Sequence, residues 1–517
     1  MRKPTTVIER NTLIKRWDRV ELKICLCSPV PYEASVLNLA LQIIYSMWNM
    51  REDVLCERAF PNVYDGVLSL ETKHKLSEFD VLAFSLQYET DLINVINMLK
   101  RNKLLGKRRD NRPLLIAGGP VIMQNPRPFS SVFDALFIGE IEEVSDKFLD
   151  SLKNSLEERS LDSMLDVPCV YMPSVEERYA KRCYVKNLDE CFYPTAQFYP
   201  EGIRVAFGPS FLLEISRGCS YNCRFCLARS IYMPLRLRSL KRVEEILDQG
   251  LKSTKLNRVS VISFAAADHP RLVDVLESIV SRGLKFTLPS VRVDKVPLEV
   301  LTLLRKVGQR SVTIAPEVAS DRLASIIRKG IYPEDVIRLA RELFKVGFRK
   351  VKLYFMIGLP GENEKDVIQI PQLIEDIVKV GFFRVSVTVN PLIPKPHTPF
   401  QWLPFIKKEE FEERRKIIIN GIRHKNVVKL SFLNWSEGVI QVVIARGESD
   451  IGRRLARVEG LLSKRKTWIE ILRYLRERPK VFHGFSIDDR LPWEVVDVRI
   501  SKKFLVAEFE DFHRNLR

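Results

Sequence analysis

The chain has 517 residues, of which 46% are hydrophobic and 29% charged, a composition that excludes a disordered or fibrous protein and calls for two or three folded domains. No apolar run approaches the roughly 18 residues needed to cross a bilayer, and the first residues are charged throughout instead of passing from a basic end into an apolar run. Neither a membrane span nor a secretion signal is therefore expected, and the cytoplasm is the expected location. Lys and Arg number 83 against 65 Asp and Glu, and the balance of +18 favours acidic partners such as nucleic acid or anionic lipid. In the densest basic run, 453–480, the cations interleave with helix-spaced Leu, Ile and Trp, so it reads either as a solvated helix face or as a partner-binding patch.

After a tail over 1–20, strands at 22–28, 81–85 and 113–117 alternate with helices at 34–50 and 91–101. Such alternation predicts an α/β domain over 21–150, a doubly wound parallel sheet covered on both faces. The strand ends carry the loops SPVPYE, SLQYE, AGGP and IGE, which in an open parallel sheet form the ligand crevice. Gly118, Gly119 and Gly139 either let backbone approach a bulky ligand or only make tight turns. A proline-bearing connector follows over 151–208. Between 209 and 405 six strand candidates, FLLEIS, RVSVISF, LKFTLP, SVTIA, RKVKLYFM and FRVSVTVN, alternate with helical segments. They predict a partial (β/α)6 barrel of the triosephosphate-isomerase type with active-site loops at the carboxyl ends of its strands. The remainder, 406–517, reads as a small α+β domain.

Nine cysteines are sparse for this length, and three fall within eight residues. That pattern argues for metal binding and against disulfides. Cys25, Cys27, Cys56, Cys169, Cys183 and Cys191 read as small buried apolar groups.

The octapeptide CSYNCRFC, residues 219–226, directly follows the first barrel strand, so Cys219, Cys223 and Cys226 project from one loop at the catalytic rim. A structural zinc site needs four ligands, and no nearby Cys or His supplies a fourth. A 4Fe-4S cluster held by three thiolates leaves one iron open, able to chelate the amino and carboxylate groups of S-adenosylmethionine (SAM). Electron transfer into the sulfonium then yields a 5′-deoxyadenosyl radical, the cofactor supplying the chemistry and the protein its orientation.

The CX3CX2C spacing, with an aromatic before the last Cys, resembles the radical SAM superfamily. Further segments, among them FTLPSVRVD, TIAPEVASDRL, YFMIGLPGE, NPLIPKPHTPFQW and LPWEVVDVRISKKFL, resemble its subgroup with an N-terminal cobalamin-binding-like domain, the uncharacterised Fe-S oxidoreductase type. The resemblance implies that Phe225 packs beside the adenine and that Asp268, where many members carry a glycine-glycine-glutamate, receives the methionine ammonium. It places Ser290, Arg292 and Glu317 at the ribose and the methionine end of SAM, an Arg292–Glu317 salt bridge being the alternative for that pair. Gly358 and Gly361 fall at an adenine-side turn, or make an ordinary one. His397, between two prolines after the sixth strand, is either a proton-transfer or substrate-contact residue or part of a rigid corner.

The first module lacks the Asp-X-His-X-X-Gly signature of a lower axial histidine. If cobalamin binds, Gln87, Tyr88 and Glu89 are the candidates to meet its lower face; otherwise the module shapes a substrate channel. The implied enzyme takes electrons from a reducing partner such as ferredoxin or flavodoxin and acts on an unknown substrate. It either methylates an unactivated carbon with methylcobalamin or performs carbon-carbon bond formation, cyclisation or sulfur insertion without methyl transfer. An RNA- or partner-binding protein with a structural cluster is the reading from another class.

Overall fold

The computed structural model describes residues 7–106, 111–175, 179–205, 208–288 and 292–516; Ser290 lies outside the described residues. The N-terminal sheet contains β1 (Leu22–Cys27), β2 (Val54–Ala59), β3 (Val81–Ser85), β4 (Leu114–Gly118), β5 (Ala135–Phe137) and β6 (Val170–Tyr171). Its order is β2-β1-β3-β4-β5-β6, parallel except for β6. The order reverses between β1 and β3, where open sheets of this kind leave a crevice at their carboxyl ends. The helix expected over 34–50 is broken: it resumes as Leu39–Met50 because Asn38 caps it, its side chain accepting from the Ala40 N–H at 2.8 Å.

Strand β2 escaped the periodicity because it buries two charges. Arg58 is fully enclosed and paired with Glu71 at 2.7 Å and with Glu9, while Glu57 accepts from the Thr72 hydroxyl at 2.6 Å. Glu9 sits on Ile8–Arg10, which pairs antiparallel with Tyr199–Glu201. The segment expected as a tail is thus laid on the domain from Val7 onward.

The barrel strands are β7 (Phe211–Glu214), β8 (Arg258–Ile262), β9 (Lys285–Thr287), β10 (Val312–Glu317), β11 (Lys350–Ile357) and β12 (Arg384–Pro391). A further strand, β13 (Val428–Phe432), pairs parallel with β12, so the sheet runs past residue 405, where the sequence reading ended the barrel. The intervening helix Lys408–Gly421 and the five-residue length of β13 concealed it. Hydrogen bonding groups the strands as β7-β8-β9 and β10-β11-β12-β13, all parallel. Burial alternates strictly along β11 and β12. Val351, Leu353, Phe355 and Ile357 join the core with apolar residues of the surrounding helices, whereas Lys352 and Tyr354 on the opposite face are exposed.

The C-terminal residues tie both halves together. Gly452, in helix Ser449–Arg457, packs so closely on the first domain that an added Cβ would lie 2.0 Å from the Pro128 carbonyl. Asn125 donates to the carbonyls of Ala445 and Gly447 at 3.1 and 2.9 Å. Part of the basic run 453–480 is therefore structural: Leu455 and Ile471 are buried, while Arg453 and Arg465 remain exposed.

One cysteine expectation is corrected. Cys169 and Cys183 form a disulfide, with Sγ atoms 2.07 Å apart, and are not two separately buried thiols. A chain reversal between β6 and the connector brings them together, which spacing alone does not disclose. Cys25, Cys27, Cys56 and Cys191 are free and buried as expected. The bond holds the connector against the end of β5, where Cys183 donates its N–H to Ile138 at 3.1 Å and accepts from Glu140 at 2.9 Å. The unreduced protein should show two fewer free thiols by mass spectrometry after alkylation than the reduced one. The double variant Cys169→Ser/Cys183→Ser should lose ~3 kcal/mol of stability to urea, the value for closing a loop of about 15 residues.

Candidate active site at the domain interface

Cys219, Cys223 and Cys226 lie on the loop that leaves β7, Cys223 buried and the other two half-buried. Each thiol is raised by burial. Cys223, pushed up to about 12, also feels Cys226 and Cys219 as neighbours, while Lys329 and Arg292 act the other way. Three soft ligands on one loop, with cations facing them and no fourth thiol there, match the triply ligated 4Fe-4S cluster in number and type, although among the described residues they are not gathered into a ready metal-holding group.

The loop is fixed at both ends. At its start stands Arg217, 7% exposed, whose guanidinium meets Glu140 at 2.9 Å, Glu142 at 2.8 Å and Glu214 at 2.9 Å. Arg236 doubles the hold on Glu140 at 2.7 Å, and Arg238 reaches Glu214 at 3.4 Å. Glu140 comes from the IGE loop of the first domain, so this knot joins the two domains directly beneath the cluster loop. Burial raises the Glu140 carboxyl, yet the hydrogen bond from Arg236 and the charge of Arg217 outweigh it and leave the net shift downward. Within the motif, Arg224 is 1% exposed and bonds Glu508 at 3.1 Å, Asp511, and the Ile326 carbonyl at 2.9 Å. Glu508 and Asp511 belong to the helix Lys502–Leu516, whose Phe512 and Leu516 pack in one cluster with Phe225.

Around the thiols the residues expected to hold SAM are each engaged with other side chains of the protein. Asp268 accepts from Tyr221 at 2.5 Å and from Ser220 at 3.0 Å. Arg292 lies over the Tyr221 ring at 3.4 Å and pairs with Asp294 at 2.9 Å. The alternative of an Arg292–Glu317 bridge is not what forms: Glu317, at a left-handed φ of 72°, pairs with Lys329 at 2.6 Å. Lys329, which the sequence reading missed, also stands 5.9 Å from the Phe225 ring centroid. Gly358 and Gly361 make turns against protein, an added Cβ meeting Ile406 at 2.9 Å and Leu516 at 2.4 Å.

A cavity of about 540 Å³ opens between the carboxyl ends of the N-terminal strands and the first barrel strand. Gly118, Gly119, Gly139, Gln87 and Tyr88 line it, as do Glu140, Glu214 and Arg217. Gly119 and Gly139 are required by backbone contact as well, since a Cβ would fall 2.1 Å from the carbonyls of Leu86 and Cys183 respectively. Glu89 does not line the cavity; it pairs with Lys395 and accepts from Gln124 at 3.0 Å. His397 is also outside it. Buried beside the Gln124 backbone at a φ of 58°, with its Nε2 unpartnered, the imidazole is pushed down to about 4 by burial.

Residues 213–393 match the model of the Radical SAM superfamily, and residues 40–173 match that of Radical SAM proteins, N-terminal. The uncharacterized protein MJ0966 of Methanocaldococcus jannaschii is 32% identical over 84% of this chain and 90% of its own length. The chain belongs to the radical SAM superfamily. This radical SAM enzyme is 26% identical to the uncharacterized methyltransferase PH0819 of Pyrococcus horikoshii over 51% of the chain, which spans 58% of that protein. Its fold is that of the radical SAM methyltransferase TsrM from Kitasatospora setae, solved with cobalamin and a 4Fe-4S cluster, at a TM-score of 0.56 and 13% identity over 88% of this chain and 99% of that one. Radical SAM enzymes need an electron donor and a substrate besides the cluster and SAM, and no helix among the described residues is long and apolar enough to cross a membrane.

Two variants probe the interface. Glu140→Gln leaves Arg217 and Arg236 short of a buried counter-charge and should cost ~3–5 kcal/mol in urea unfolding. His397 has a folded value below its ordinary 6.5, so its contribution is present above that pH and is lost as pH falls toward about 4. Thermal midpoints of the wild type should drop across that window, and His397→Gln should flatten the drop.

Proposed function

We propose that this radical SAM enzyme is a cobalamin-assisted methyltransferase acting on an unactivated carbon. The observation that carries the reading is the cavity at the strand ends, opening beside the arginine knot that anchors the cluster loop. Its inner part is apolar, lined by Leu26, Ile43, Trp48, Ala83, Ile116 and Phe148, and the Trp48 Nε1 is buried without a partner. A flat aromatic base offering an acceptor, such as the nucleotide tail of a corrinoid, suits that lining, and the TsrM fold supports the same reading. No histidine lines the cavity among the described residues, so a lower-face contact falls to Gln87 or Tyr88 at the crevice loops.

When bound, the cluster supplies the electron that cleaves SAM and the corrinoid supplies the methyl group. The chain holds and orients. Cys219, Cys223 and Cys226 ligate the cluster. Lys329 and Glu317, paired in this structure, offer a cation and an anion to the carboxylate and ammonium of SAM, with Phe225 beside the adenine. Arg217 and Glu140 keep the cavity mouth and the cluster loop in register. Ferredoxin or flavodoxin is the expected electron source, and the cytoplasm the expected compartment.

Anaerobically reconstituted protein should bind about one corrinoid per chain and pass methyl label from SAM to product, and Cys→Ala at any of the three ligands should reduce deoxyadenosine formation to background. Deoxyadenosine without methyl transfer, from protein that takes up no corrinoid, would overturn the methyltransferase reading.

A further inference from the structure

In a closed (β/α)8 barrel the inward face of the strands is filled by branched apolar side chains. Here that face is wet. The helix-covered face of β8 to β12 is apolar and buried, and that of β13 apolar with Val428 buried and Leu430 and Phe432 half-buried, whereas the helix-free face alternates with it as half-buried or exposed residues. Six of these residues are cations near the amino ends of the strands: Arg258, Lys285, Lys350, Lys352, Arg384 and Lys429. None of the six takes part in an ion pair among the described residues. Tyr354, 38% exposed, and the hydroxyls of Ser386, Thr388 and Ser431 occupy the same face at and above the level of Lys352. Glu317, at the carboxyl end, is already held by Lys329.

The register makes this arrangement costly. Arg258 is the direct cross-strand neighbour of Lys285, and Lys350 that of Arg384. Lys352 and Lys429 flank Ser386 in one row, roughly 10 Å apart at the usual strand spacing. Like charges directly opposite each other destabilise a sheet, and a concave face concentrates their field. A solvated outer surface spreads such residues and intersperses acids; this face does neither.

We infer that the barrel lumen binds a phosphate-bearing, nucleotide-like substrate with its phosphates toward the amino ends of the strands. Phosphate carries up to two charges per group or repeats at each link of a strand, and so can compensate several cations at once. The hydroxyl band and Tyr354 suit a polar sugar and a stacked base, and they exclude a lipid tail. From Lys352 to Met356 the strand rises roughly 13 Å, which sets the reach of the substrate from its phosphates toward the rim that carries the cluster loop. The inference rests on the radical SAM reading above, in which the cluster loop stands at the carboxyl-end rim of this barrel. Its test is a binding measurement that needs neither SAM cleavage nor methyl transfer, so the two readings fail separately.

Full-length reconstituted protein is titrated with three probes, inorganic pyrophosphate, ADP and a fluorescein-labelled single-stranded RNA 12-mer, at several salt concentrations. The double variant Lys352→Gln/Lys429→Gln should bind the preferred probe at least tenfold more weakly and show a shallower salt dependence, by about 1.4 in the slope of log K against log salt for a single strand. Arg465→Gln, on the outer helix Lys464–Glu477, should bind as the wild type does. Because the two lysines are exposed and unpaired, the double variant should keep or raise its thermal midpoint. Competition by ADP assigns a free nucleotide as the source, and binding of the 12-mer alone assigns an RNA strand. If no probe binds, or if the double variant binds as tightly as the wild type, the inference is overturned.

Discussion

The contact on which the arrangement depends is the buried guanidinium of Arg217 between Glu140, Glu142 and Glu214. The cluster motif begins two residues later, after Gly218, whose φ of 88° and an added-Cβ distance of 2.3 Å to the Pro234 carbonyl allow no side chain. The origin of the loop is therefore set by a charge contact with the other domain. Buried ion pairs contribute little net stability over well-packed apolar groups, because desolvation consumes most of the Coulomb gain. What they do supply is direction: a guanidinium with three carboxylates around it has one orientation. Arg236 and Arg238 bring the count of buried cations to that of the acids, which keeps the knot from holding an unpaired charge.

The far end of the same loop is held by different means. Arg224 lies between two cluster ligands, yet its head points away to Glu508 and Asp511, and Arg328 reaches the same two acids at 2.6 and 2.8 Å. The last helix thus closes over the loop, with Phe512 stacked edge-on to Phe400 at 5.0 Å beneath it. Three thiols strung between two such anchors keep their spacing without a fourth ligand, which is what a cluster held by only three cysteines would require of the loop.

Much of this was legible because it is local. The alternation in RKVKLYFM and FRVSVTVN, the uninterrupted apolar run VLAFS and the CX3CX2C spacing each report on their own few residues. What escaped is nonlocal. VLCERA reads as too polar for a fully buried strand until Glu9, 49 residues away, and Glu71 neutralise Arg58. The Cys169–Cys183 bond depends on a reversal of the connector. Lys329 stands beside Glu317 only after helix Asp321–Ile326 turns the chain back. The carry-over brought Asp268 and Arg292 beside the cluster loop, where Tyr221, inside the motif itself, takes up both, and no spacing rule signals that contact.

The chain treats its excess of cations in two opposite ways. At the domain interface every buried arginine of the knot is met by carboxylates or carbonyls, because an uncompensated charge there has no water to turn to. On the inner face of the barrel the cations stand opposite one another without an acid paired to them, Lys350 resting only over the Phe383 ring at 5.1 Å, which is tolerable because water reaches them. A fold free to choose would have placed acids across from Lys285 and Lys350, as it did across from Arg217. Leaving them without ion pairs lowers stability and raises the attraction of that face for an anion, so part of the net charge of +18 is concentrated on the inner face of the barrel.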